Sequence, residues 1–162
     1  LMASVVVLAI LMIAALVLSF RSFRLAALIL AVAGLSVGLG LGALWVFDQN
    51  FGFMAIVGAL GLLGIAVNDA IAVLANLRAD PDACRGDPEA VTGVVVHATR
   101  HVLSTTFTTI AGFMPLILAG GGFWPPLAIA IAGGVAGATV LALVFVPTGF
   151  RVLAGRGSWA QV

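Results

Sequence analysis

Five stretches of 19 to 30 residues, at 1–20, 25–47, 51–77, 101–119 and 124–153, are apolar on every side. A helix rises ~1.5 Å per residue, so about 20 such residues cross the ~30 Å hydrocarbon core of a bilayer. Inside that core every backbone N–H and C=O must find a partner within the protein, which leaves helices or a closed β-barrel. Barrel strands alternate apolar and polar residues in segments of about ten, and these runs do not alternate. The pattern predicts an all-α fold, a polytopic membrane helix bundle with five transmembrane helices. The turns at Asp48-Gln49-Asn50 and Gly120-Gly121-Gly122 are short, so neighbouring spans are expected to be antiparallel. The first run is already apolar at Leu1, with no initiator Met or basic leader, and the chain reads as a fragment.

Charge is scarce, at 8% of residues against 63% hydrophobic, and the net charge of +1 offers no basic surface for nucleic acid. The seven basic residues are all arginines and they sort by side. Arg21 and Arg24 follow the first span, Arg78, Arg85 and Arg100 lie between the third and fourth, and Arg151 and Arg156 end the fifth. The positive-inside rule makes those connections cytoplasmic, together with the C-terminus, and turns the Asp48 and triple-glycine turns outward. Residues 78–89, RADPDACRGDPE, read as a solvated loop, and residues 90–100, AVTGVVVHATR, as a short helix lying along the interface. The expected bundle covers residues 1–154, with a cytoplasmic tail at 155–162. Cys84 is the single cysteine, so no intramolecular disulfide and no CxxC pair is available. His97 and His101 stand at i and i+4 without a third ligand nearby, which favours interfacial polar residues over a metal site. Neither a metal nor a cofactor is expected.

Asp69 is the only ionisable residue in the 51–77 run. A charge at membrane depth costs roughly 2.5–3.5 kcal/mol on insertion scales, which makes it a functional candidate by default. Asp69 lies nine residues before Arg78, and Thr109 nine after Arg100, so both are expected about 13 Å from the cytoplasmic surface. The predicted polar cluster comprises Asn68, Asp69, Thr105, Thr106, Thr108 and Thr109, with Thr105 and Thr109, or Thr105 and Thr108, sharing a helix face toward Asp69. Thr139, on the last span, is placed away from it. Two roles stay open: a carboxyl that loads and releases protons, or a neutral group that pins two helices while the threonines bond their own carbonyls. Gly34, Gly38 and Gly42, and Gly133 with Gly137, repeat every four residues and predict close helix packing. Pro115 and Pro147 are expected to kink or end their helices, and Pro125 and Pro126 suit a first turn. A second catalytic carboxylate is missing, as are GxSxG, HExxH and P-loop patterns, so the chain is not read as an enzyme.

Residues 61–77, GLLGIAVNDAIAVLANL, resemble a central membrane helix in the C-terminal half of resistance-nodulation-division (RND) efflux permeases. Residues 100–116, RHVLSTTFTTIAGFMPL, are similar to the next helix of that family, residues 123–147, FWPPLAIAIAGGVAGATVLALVFVP, to the last, and residues 17–44 to the helix pair after the second large periplasmic domain. The resemblance implies the last five of twelve transmembrane helices, most of one half of an RND-type domain. It further implies a homotrimer in the inner membrane of Gram-negative bacteria that exports drugs or other small amphiphiles by proton antiport. Implied partners are the N-terminal half and periplasmic domains of the same permease, membrane lipid, a periplasmic adaptor and an outer-membrane channel. In drug pumps of the family a Lys stands at the position of Asn68 and a Thr at that of Thr105. Here Asn68 supplies no cation, Asp69 stands where Asn is common, and His101 replaces the usual Pro. Alternatives are an RND-superfamily lipid exporter, a protein-secretion accessory, or a structural membrane module without proton coupling.

Overall fold

A computed structural model describes residues 2–154, and every described element is helical. Helix α1 spans Met2–Phe20, α2 Phe23–Val46, α3 Phe53–Ala79, α4 Pro81–Cys84, α5 Pro88–Leu118 and α6 Trp124–Ala154. Among the described residues four helices, α2, α3, α5 and α6, are long and apolar enough to cross a membrane, and α1 adds an apolar stretch over Ile10–Phe20. Arg156 and the expected tail at 155–162 lie outside the described residues.

Local chemistry accounts for where the helices start and stop. Ser22 accepts from Leu25 N at 3.5 Å to cap α2, and Arg21 before it takes φ 46° to turn the chain out of α1. Gly120 and Gly121 hold φ 69° and 86°, a left-handed backbone that glycine adopts without a Cβ penalty, and so reverse the chain between α5 and α6. Pro125 and Pro126 fall in the first turn of α6, where a missing N–H costs nothing. Pro115 and Pro147 do not end their helices, since α5 runs on to Leu118 and α6 to Ala154.

The 78–100 region departs from the expectation of a loop and a separate interfacial helix. Asp80 accepts from Asp82 N and Ala83 N, both at 2.9 Å, and starts the one-turn α4. Asp87 accepts from Glu89 N at 3.2 Å, with Pro88 in the first turn, and starts α5. From there α5 is continuous for 31 residues. It passes through Arg100 because residues 90–100 have no helix breaker that outweighs the cap behind them.

Helix α6 is the hub, packed against α2, α3 and α5, while α1 rests on α2. Half of the most apolar stretch of α6 is buried, against 11% for α5, so α5 flanks the bundle and α6 runs through it. Close approach rests on glycine, in α6 where its spacing suggested but in α2 at a different position. No atom lies within 4 Å of where a Cβ would stand at Gly34, Gly38 or Gly42, whereas one at Gly40 would meet Ala130 O of α6 at 2.7 Å. Gly133 and Gly137 do face α2, against Ala43 and Leu39. The two ends of the bundle differ. Trp45, Phe47, Phe51, Phe53, Phe123 and Trp124 are all exposed around the two arginine-free turns, an aromatic girdle of the kind found at a membrane interface. At the other end Arg78 donates to Phe20 O at 2.6 Å and lies 6.0 Å from the Phe20 ring, tying the end of α3 to the last turn of α1.

Candidate functional site: a buried carboxyl in α3

Asp69 sits midway along α3 and is only 5% exposed. One turn to either side, Ala66 and Val73 are fully buried, in a core that also holds Ala98 and Val102 of α5 and Ala138 and Ala142 of α6. The alanines bring the helices close and enclose the carboxyl in apolar surface. Its Oδ2 is buried and has no hydrogen-bond partner among the described residues. An unmet buried polar oxygen costs about 1–3 kcal/mol, and more if charged.

The remaining members of the predicted cluster separate into three environments. Asn68 and Thr108 are exposed, on faces turned away from the core. Thr105 and Thr109 are half-buried, and their hydroxyls donate to Val102 O at 2.8 Å and Thr105 O at 2.7 Å, bonds within their own helix. Thr108 does the same, to Ser104 O at 2.9 Å. No hydrogen bond among the described residues joins Asp69 to any of these threonines.

Thr106 is the α5 threonine that points inward, and it meets Thr139 of α6. Thr139 therefore cannot stand as a residue remote from the polar groups of α5. Each hydroxyl also lies within reach of a carbonyl one turn back, Val102 O at 2.8 Å and Val135 O at 2.9 Å. A hydroxyl has one proton to give, so one threonine donates across the interface while the other keeps its intrahelical bond. Val substitutions preserve shape and remove this link. In the purified protein, the unfolding free energies of Thr106→Val, Thr139→Val and the double variant should show a coupling of ~0.6 kcal/mol, and at most ~1.7. Strictly additive single effects would mean that the two hydroxyls do not bond.

Ser36 of α2 is fully buried and bonds Val32 O at 2.7 Å, a polar residue that no sequence pattern marked. His97 and His101 are both exposed, and among the described residues no group of three His, Cys, Asp or Glu side chains is placed to hold a metal ion.

Comparison with known proteins places this arrangement. The chain matches the AcrB/AcrD/AcrF family over residues 1–154. It belongs to that family. Its similarity to individual RND permeases points the same way. It is 31% identical over 141 residues to the nickel-cobalt-cadmium resistance protein NccA of Alcaligenes xylosoxydans xylosoxydans, covering 85% of this chain and 13% of that protein. It is 29% identical over 116 residues to the cobalt-zinc-cadmium resistance protein CzcA of Cupriavidus metallidurans, covering 70% of this chain and 11% of that protein. It is 32% identical over 117 residues to the multidrug resistance protein MdtC of Klebsiella pneumoniae, covering 69% and 11%. The chain thus spans about an eighth or less of the length of these relatives. No solved structure matches it.

Proposed function

We propose that this chain is the C-terminal membrane portion of a proton-driven RND export permease and that Asp69 is a proton-exchanging group within it. The observation that carries this reading is the Asp69 carboxyl, buried in a spanning helix of a permease-family chain with Oδ2 unmatched. A carboxyl fixed only to pin helices would have both oxygens bonded, since a half-satisfied buried group weakens the packing it is meant to hold. An oxygen left without a partner is free to take up a proton. The exposed polar residues Asn68, Ser104 and Thr108 lie on spanning helices, where contact with lipid tails is unfavourable. In the whole permease they face the N-terminal half or a water-filled path. The arginine-bearing end is cytoplasmic, residues 155–162 included, and the aromatic end faces the periplasm across the bacterial inner membrane. The assembly is a trimer joined to a periplasmic adaptor and an outer-membrane channel, as the family resemblance implies, and it is a transporter rather than an enzyme.

For the substrate, drugs or small amphiphiles are one reading and divalent transition-metal cations the other. The second rests on the printed names of two relatives, the nickel-cobalt-cadmium and cobalt-zinc-cadmium resistance proteins. The full-length protein, reconstituted in vesicles with an imposed pH gradient, should move nickel or cobalt ions, or a cationic dye, only while the gradient lasts. Substrate movement that ignores the gradient would defeat proton coupling.

A further inference from the structure

At the arginine-bearing end, α2 and α6 border an open slot of about 410 Å³, lined by Arg24 and Leu28 on one side and Phe145, Thr148, Gly149 and Val152 on the other. Gly149 makes the slot possible. A Cβ there would stand 2.6 Å from Leu28 Cδ1 and turn that side chain aside, so glycine lets Leu28 lie against α6 as it does. The walls stay open to the outside, with Phe145 40% and Val152 52% exposed. Thr148 and Val152 also line an adjoining depression that holds Arg85 and Arg151. The apolar slot, with Arg24 in its wall, thus adjoins a depression with Arg85 and Arg151 in its own.

The three arginines are not equivalent. Arg85 is paired with Asp82 at 2.9 Å, whereas Arg24 and Arg151 are in no ion pair among the described residues. The Thr148 hydroxyl is already given to Val144 O at 2.7 Å, so it adds no donor. What remains is two uncompensated guanidinium groups beside an acyl-sized apolar slot, at the arginine-bearing ends of two helices long enough to span a membrane.

We propose that this slot is a binding site for an anionic phospholipid, with one acyl chain against Leu28, Phe145 and Val152 and the phosphate between Arg24 and Arg151. Guanidinium suits this role because its planar donors match phosphate oxygens in pairs. The apolar walls hold any chain, and the arginines choose the head group. Each basic residue near the surface favours anionic lipid by about fivefold, so two give a preference of roughly 25-fold over a zwitterionic lipid. The site lies between α2 and α6, apart from Asp69, and does not depend on proton coupling.

The test is native mass spectrometry of the full-length protein, with phosphatidylglycerol and phosphatidylcholine of matched chains supplied in equal amounts. The wild type should retain the anionic lipid preferentially. Arg24→Gln with Arg151→Gln should bring the retained ratio most of the way to one, Arg24→Lys with Arg151→Lys should keep much of it, and Arg21→Gln, outside the slot, should leave it unchanged. Val152→Trp fills the slot through an exposed position and should lower retention of both lipids. Inorganic phosphate should not displace the bound lipid, because it has nothing to place between Leu28 and Val152. Equal retention of the two lipids by the wild type overturns the proposal. So does a preference that survives loss of both arginines, or one that Arg21→Gln removes equally, or complete displacement by phosphate.

Discussion

Asp69→Asn in the full-length protein should lower gradient-driven export by an order of magnitude or more while the protein is still made, inserted and purified in normal yield. The amide keeps the volume and planar shape of the carboxyl, so the surrounding Ala66, Ala70 and Val73, all fully buried, need not move. It removes the one property that matters for coupling, the ability to gain and lose a proton. It also replaces a buried ionisable group by one that is always neutral, so folding should be unchanged or slightly favoured. Asp69→Glu should retain part of the transport, because the longer carboxyl still titrates but is displaced from its site. Asn68→Ala changes the neighbouring residue on an exposed face and gives a matched comparison. Transport that persists in Asp69→Asn would eliminate the coupling role. Loss of folded protein in Asp69→Asn, with yield restored in Asp69→Glu, would instead mark the carboxyl as a structural pin.

The same residue shows what a sequence can and cannot reveal in a membrane chain. That Asp69 is buried was legible because a spanning helix has few ionisable positions, and each must turn inward or be matched. Which hydroxyl of α5 turns inward was not legible, for a reason of register. Arg100 reads as the end of a helix, but α5 continues back to Pro88, so Arg100 lies along its side and is no marker of depth. Counting from the glycine turn at the other end is more faithful, since both helices truly end there. Thr106 lies 12 residues before Leu118, and Thr139 15 residues after Trp124, so the pair falls at similar depth. Asp87-Pro88, a cap residue followed by a first-turn proline, was the readable signal for the true start of α5. The apolar stretches of α2, α3, α5 and α6 were plain because hydropathy alone marks them. Their pairing was not, because lipid tails are as apolar as the side chains and exert no hydrophobic sorting between one helix face and another.

Glycine makes that last point measurable. Gly40→Ala should destabilise the full-length protein by ~1–3 kcal/mol, the usual range for overfilling a packed contact, whereas Gly38→Ala should be neutral or slightly stabilising. The two sites lie in one helix and accept the same methyl group, and two residues place them about 200° apart, on opposite sides of α2. At Gly38 nothing lies within 4 Å of the new atom, so only the better helix propensity of Ala is felt, worth up to ~1 kcal/mol in water. At Gly40 the methyl would stand 2.6 Å from Leu62 Cδ2 and 2.7 Å from Ala130 O. The leucine can rotate away, but the carbonyl is held in the α6 ladder and cannot, so α2 must move off the hub helix. In a bilayer the loss is not recovered by excluding water, because helix association there depends on direct packing. Gly58→Ala in α3 should behave like Gly40→Ala, since its methyl would lie 2.9 Å from Leu127 O of α6. Thermal unfolding of the three variants in one detergent separates the cases, and equal midpoints for Gly38→Ala and Gly40→Ala would refute the close α2–α6 contact on which the whole bundle is centred.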